Sequence, residues 1–173
     1  MTQFLRKHVV PFVAAALLLP AIPGGAAKHR NARLEQGLAA EVNKFRAAHG
    51  LPPLQMSPEL KAAAQAHSLE LAEKGYFSHA SSDGGSFWER VKRFYPVGES
   101  QFWSVGENLY WSSEEHSASF VINRWSTSPE HRRVLERKKW REMGVSAVWA
   151  QRAPGVYGGR DVAIVTVDFG VRR

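Results

Sequence analysis

Cysteine is absent from all 173 residues. No disulfide can staple this fold, and no lipidated cysteine can anchor the chain. No internal repeat or long low-complexity run occurs, which excludes repeat architectures. No apolar run reaches the roughly 20 residues that cross a bilayer. Two common hydrolase signatures, H-E-x-x-H and G-x-S-x-G, are also missing. Acidic charge is the scarcer sign, with 16 Asp+Glu against 23 Lys+Arg and a net charge of +7.

What is present describes one globular domain. The length suits a single domain, and an apolar fraction of 44% supports a packed core. The first 27 residues stand apart. Arg6 and Lys7 form a basic start, Val9 to Ala21 is apolar apart from Pro11 and Pro20, and Gly24-Gly25-Ala26-Ala27 supplies small residues. This reads as a secretory signal peptide cleaved after Ala27. The expected location is secreted, extracellular or periplasmic. Without Arg6 and Lys7 the net charge falls to +5. A chain starting near Lys28 is long enough to stand on packing alone, where smaller secreted domains need disulfides.

The remaining pattern alternates helices and strands. Lys28 to Arg33 reads as a polar lead-in, and the domain proper as residues 34–173. Leu34, Leu38, Val42 and Phe45 recur at helical spacing and stop at Gly50, Pro52 and Pro53. Ser57-Pro58 opens a second helix as N-cap and first-turn proline, and Gly75 closes it. His67 lies on the apolar stripe of that helix and is expected to be a hydrogen-bonded core residue. Ser86 with Glu89 forms a capping box before the stripe Phe87, Arg90, Val91 and Phe94. Asn108 to Trp111 reads as a short strand, Ala118 to Trp125 as a helix, and Ser128-Pro129 as the start of another. Trp125 is expected in the core. Gly144 to Ala150 and the β-branched run Val162 to Phe169 read as an antiparallel hairpin, the second strand covered on both faces. The fold class is α+β, or a sheet between helices.

His79, Glu107 and His131 stand near the ends of these elements, where a scaffold can present side chains to one cleft. Two imidazoles and a carboxylate can hold a divalent metal such as zinc, or move protons. Each residue also has a plain structural explanation: a surface turn, a local cap, a solvated helix face. Ser78 and Ser128 adjoin the histidines. Sequence neighbours seldom reach hydrogen-bond geometry, so neither serine is expected to act as a nucleophile.

Seven motifs in order resemble the CAP superfamily, which takes in cysteine-rich secretory proteins, insect antigen 5 and plant pathogenesis-related proteins. They are Asn43-Lys44-Phe45-Arg46 with Gly50-Leu51-Pro52-Pro53-Leu54; Leu60 through His67 and Leu71; Phe77-Ser78-His79; Gly106-Glu107-Asn108-Leu109; Trp125 with Ser128-Pro129-Glu130-His131; Gly144-Val145; and Asp168-Phe169-Gly170. The resemblance is to the cysteine-free bacterial branch. It implies a single-domain α-β-α sandwich with a small, mostly antiparallel sheet and a central cleft lined by His79, Glu107 and His131. Eukaryotic members carry a second acid three residues after the tryptophan of the fifth motif. Ser128 stands there in this chain, which leaves Glu130 as a possible substitute.

Three functions follow as expectations. The first is a secreted binding or interaction module whose cleft holds a divalent metal through His79, His131 and Glu107. The second is a metal-assisted, peptidase-like hydrolase with Glu107 as base and His79 and His131 as metal ligands or proton donors. The third is a lipid or sterol carrier with a groove of Trp88, Trp103, Trp111, Phe94, Tyr95 and Phe102, residues more often found in cores. The cations between Arg132 and Arg141 suit a cell-envelope polymer or lipid headgroup as partner, although a solvated helix face explains them as simply. Protein is a further class of partner, no nucleic-acid motif accompanies the charge, and a monomer is expected.

Overall fold

A computed structural model describes residues 28–173, and the expected leader at 1–27 lies outside them. The order is β1 (Lys28–Arg30), α1 (Ala32–Ala48), β2 (Gln55–Met56), α2 (Pro58–Lys74), α3 (Phe87–Phe94), β3 (Trp103–Ser112), α4 (Ala118–Thr127), α5 (Pro129–Leu135), β4 (Glu142–Ala153) and β5 (Arg160–Arg172). The sheet runs β1-β4-β5-β3, with β2 sharing the outer side of β4. Only the β2–β4 pair is parallel among the described strands. No described helix is long and apolar enough to cross a membrane.

Strand alternation divides the sheet into two faces. Val165, Val167, Phe169 and Val171 of β5 pack with Leu38, Val42, Val121 and Trp125 of α1 and α4. The even-numbered Val162 and Ile164 face the other way and pack with Leu71 and Ala72 of α2. Val91 and Tyr95, at the α3 end, join Leu60 and Ala63 on that second face. The result is helices on both sides of one sheet, the expected α-β-α sandwich.

Local chemistry explains how these elements begin and end. Ser57 accepts the Leu60 amide as N-cap of α2, Pro58 fills the first turn, and Gly75 ends the helix in the left-handed region at φ 71°. Gly144 lets α2 lie directly on β4, because a Cβ there would sit 2.0 Å from the Leu60 carbonyl carbon. Arg46 is fully buried at the end of α1. Its Nη1 donates to the carbonyls of Leu135 and Arg137, and its Nε to that of Pro52. One guanidinium thus fixes where α5 ends.

Two sequence expectations change. Lys28–Arg30 is not a loose lead-in but an edge strand, antiparallel to Val148–Ala150. The strand expected at Asn108–Trp111 begins at Trp103 and pairs with β5 over its whole length. Glu107 therefore sits inside a strand rather than before one.

Candidate functional site

The loop between α2 and α3 carries His79 and is held from beneath by three polar side chains. His67, fully buried on α2, donates from Nε2 to the Ser78 carbonyl at 2.9 Å. Burial holds its pKa below the ordinary imidazole range, although the Glu107 charge opposes this. His67 is the hydrogen-bonded core residue expected, and its Nδ1 is left without a hydrogen bond. Glu70, one turn along, accepts from the Ser82 amide, the Ser82 hydroxyl and the Tyr76 hydroxyl. Arg90 of α3 donates from Nη1 to the His79 carbonyl and the Ser81 hydroxyl.

These contacts aim the His79 ring at Glu107. Nδ1 lies 2.7 Å from Oε1, and the His79 side chain is 53% exposed while that of Glu107 is 1% exposed. The other Glu107 oxygen accepts from Arg90 Nη2, so both oxygens are engaged. Burial opposes ionisation of Glu107 most strongly, but the His79 hydrogen bond and the Arg90 guanidinium overcome it and hold the carboxyl below its usual range. Neutral His79 then carries its proton on Nδ1, toward the carboxylate, and its Nε2 lone pair faces outward.

Asp168 is the register partner of Glu107 across β3 and β5 and is fully buried. Neither of its oxygens has a hydrogen-bond partner among the described residues. Burial, and then the Glu107 charge, push its pKa well above the ordinary carboxylate range. The acid pair therefore carries about one negative charge, matched by Arg90.

His131 comes from the opposite helical layer. Asn108, whose side chain leaves β3 on the face away from Glu107, donates to the His131 carbonyl at 3.1 Å. The His131 ring lies near the indole of Trp125, 6.4 Å between centroids and 14° between planes. Burial lowers its pKa, and positive charge on His79 would lower it further. His131 Nδ1 is 2.7 Å from the Ser128 hydroxyl. This corrects the expectation that sequence neighbours would miss hydrogen-bond geometry. No carboxylate joins the pair among the described residues, so it lacks the orienting acid of a nucleophilic triad. Ser78 instead accepts the Ala80 amide in a turn. Glu130 is exposed and makes no side-chain hydrogen bond or ion pair among the described residues.

Of the three expected site residues, His79 and Glu107 are in direct contact, while His131 lies on the other face of β3 and is tied to that strand through its backbone carbonyl. They do not form a three-ligand metal set. No group of three or more His, Cys, Asp or Glu is placed to hold a metal among the described residues, and Glu107 has spent both oxygens. The aromatics considered for a lipid groove are scattered. Tyr95 is buried, while Trp88 and Phe94 are exposed on α3. A cavity of about 570 Å³ lies elsewhere, lined by Asn31, Leu34, His116, Trp149 and neighbours.

Sequence reading missed Arg90 and Asp168 as site residues, although both left a signal. Arg90 occupies the buried stripe of α3, and Asp168 interrupts an apolar strand covered on both faces. A charged residue at a core position implies a buried partner.

Comparison with known proteins bears on the family and the fold. The model of the cysteine-rich secretory protein family (CAP) matches residues 39–167. An uncharacterised Bacillus subtilis protein, YkwD, is 29% identical over 126 residues. That match takes in 70% of this chain and 47% of the relative, so the chain spans about half the length of the curated relative. Among solved structures, an outer surface protein of Borrelia burgdorferi shares the fold at TM-score 0.69 and 19% identity, over 86% of this chain and 99% of that one. An extracellular Bacillus anthracis protein containing an SCP domain aligns at TM-score 0.60 and 26% identity, over 82% of this chain and 41% of that one.

Proposed function

This chain belongs to the cysteine-rich secretory protein family, and from that premise we propose that it is an exported binding module whose working part is the His79–His131 cleft. The observation that carries the reading is the His79–Glu107 hydrogen bond. A buried, ionised carboxylate accepts a hydrogen bond from Nδ1 and leaves the Nε2 lone pair free on a half-exposed side chain. Carboxylates in this outer position orient metal-binding imidazoles and raise their basicity. The ligands proposed for a divalent metal such as zinc are therefore the two imidazoles. Glu107 acts behind His79, not on the metal. A metal held there would supply a Lewis-acidic point for a partner's carboxylate or carbonyl. Export follows from the leader-like first 27 residues and suits a chain whose structural relatives are named as outer surface and extracellular proteins.

The hydrolase reading is weaker for a physical reason. It asks Glu107 to take a proton from water, yet that carboxylate is buried, doubly bonded and held below its usual pKa.

Calorimetric titration of zinc into the protein, and into a His79→Ala/His131→Ala variant, tests the proposal. Binding by the wild type and a loss of at least tenfold in the variant support it. Equal binding by both proteins would remove the imidazoles as ligands.

A further inference from the structure

A second surface begins one residue past His131. Between Arg132 and Arg141 there are six cations and one acid, Glu136. Arg132 spends its charge on Glu136 at 2.7 Å, and Arg141 donates to the carbonyls of Lys138 and Trp140. Arg133, Arg137, Lys138 and Lys139 have no carboxylate partner among the described residues. The first three are exposed and Lys139 is half-buried.

These side chains are laid on a rigid base. Arg137 lies over the Trp140 ring at 4.9 Å, and Lys139 lies over Phe102 at 5.0 Å. Trp140 is buried and donates from Nε1 to the Val134 carbonyl. From inside the domain, Arg46 holds the carbonyls of Leu135 and Arg137. Long cationic side chains usually pay entropy to bind, and stacking on fixed rings reduces that cost. A concavity of about 550 Å³ lined by Arg133, Val134, Glu136 and Arg137 opens on the same face.

We propose that this face docks a linear phosphate polyanion. The unpaired charge fixes the sign of the partner, and two features narrow its chemistry. None of the exposed large apolar side chains, among them Trp88, Phe94 and Phe120, lies in this segment. The surface therefore lacks the apolar anchors that insert into a bilayer interface. It also offers no free aromatic platform for bases: Trp140 is buried, and Phe102 lies under both Lys139 and Arg173. Phosphate groups along a chain without bases or acyl tails match what remains.

Long-chain inorganic polyphosphate is the probe, titrated by fluorescence anisotropy at 50 and 150 mM salt. Four neutralised phosphates give a loss of about twentyfold over that change. Arg133→Gln/Arg137→Gln/Lys138→Gln/Lys139→Gln should weaken binding at least tenfold while its thermal melt stays cooperative. Arg33→Gln/Lys74→Gln/Lys92→Gln/Arg93→Gln removes the same charge elsewhere and should change affinity less than about twofold. Equal loss in the two variants would overturn the proposal in favour of net charge. Equal or tighter binding of oligo-dT, or of vesicles rich in phosphatidylglycerol, would overturn it in favour of nucleic acid or membrane. Absence of polyphosphate binding by the wild type at 50 mM salt would overturn it outright.

Discussion

Replacing Arg90 by leucine tests the internal logic of the site most directly. Arg90 is 3% exposed and its partner Glu107 is 5% exposed, so their ion pair is cut off from water. Removing one member of a buried pair strands the other charge, at a cost of about 3–5 kcal/mol. The hydrogen bonds to the His79 carbonyl and the Ser81 hydroxyl vanish with it, at about 1 kcal/mol each. The sum is about 5–7 kcal/mol, so Arg90→Leu should lower the melting temperature by roughly 20–28 °C, at about 4 °C per kcal/mol for a domain of this size. Arg90→Leu/Glu107→Leu removes both charges, and apolar pairs of similar volume are often as stable as the ion pair they replace. The double variant should recover most of the loss and stay about 1–2 kcal/mol below the wild type, because the two loop hydrogen bonds do not return. Urea denaturation of the wild type, Arg90→Leu, Glu107→Leu and the double variant closes the double-mutant cycle. A loss under about 1 kcal/mol in the single variant, or additive losses in the double, would show that Glu107 does not depend on Arg90.

Substitutions at three other positions probe the surroundings. The native state of Asp168 keeps its proton to higher pH than the unfolded chain, so above the unfolded carboxylate range the native state binds more protons and stability falls as pH rises toward the raised pKa. Asp168→Asn abolishes that fall; the wild-type-minus-variant difference in stability, followed by urea denaturation from pH 4 upward, should decline with pH, and a flat difference would mean Asp168 titrates normally. Trp125 is 2% exposed and donates from Nε1 to the Leu109 carbonyl, so Trp125→Ala should cost about 3–5 kcal/mol and Trp125→Phe about 1–2 kcal/mol in the same assay. Asn108→Ala should cost about 1 kcal/mol and move the His131 ring resonances in an NMR spectrum while leaving those of His79 in place.

The parts of the fold legible in the sequence are those governed by local chemistry. The Ser57-Pro58 start, the Gly75 stop and the Ser86–Glu89 capping box all stand where the residue pattern put them. The hairpin of β4 and β5 followed from β-branched runs around a glycine-rich loop. Less legible were features set by neighbours in space. Lys28–Arg30 carries no strand signal of its own and is extended because β4 offers it an edge. The first half of β3 contains Gly106 and Glu107, poor strand formers, and is held straight by β5. At the site, sequence reading nominated His79, Glu107 and His131 and overlooked Arg90 and Asp168 beside Glu107. Their roles depend on the register of β3 with β5 and on the packing of α3, which no local pattern encodes.

The stretch Gly106-Glu107-Asn108 now has a physical reading at each position. Gly106 has no side chain because Trp140 lies against the strand there, with a ring carbon 2.8 Å from where a Cβ would be. Glu107 and Asn108 are consecutive strand residues, so they point to opposite faces. Glu107 reaches into the layer of α2 and α3 and fixes His79; Asn108 reaches into the layer of α4 and α5 and fixes the backbone of His131. Edge strands invite pairing with other chains. On this one the Leu109 carbonyl is already taken, by the Nε1 of Trp125. One dipeptide therefore sets the relative position of two imidazoles that belong to different layers. A one-residue slip between β3 and β5 would exchange the two faces, bury Asn108 against Arg90 and send Glu107 toward the α5 backbone. The Glu107–Asp168 register accordingly specifies both the core and the cleft, and the two cannot be varied independently.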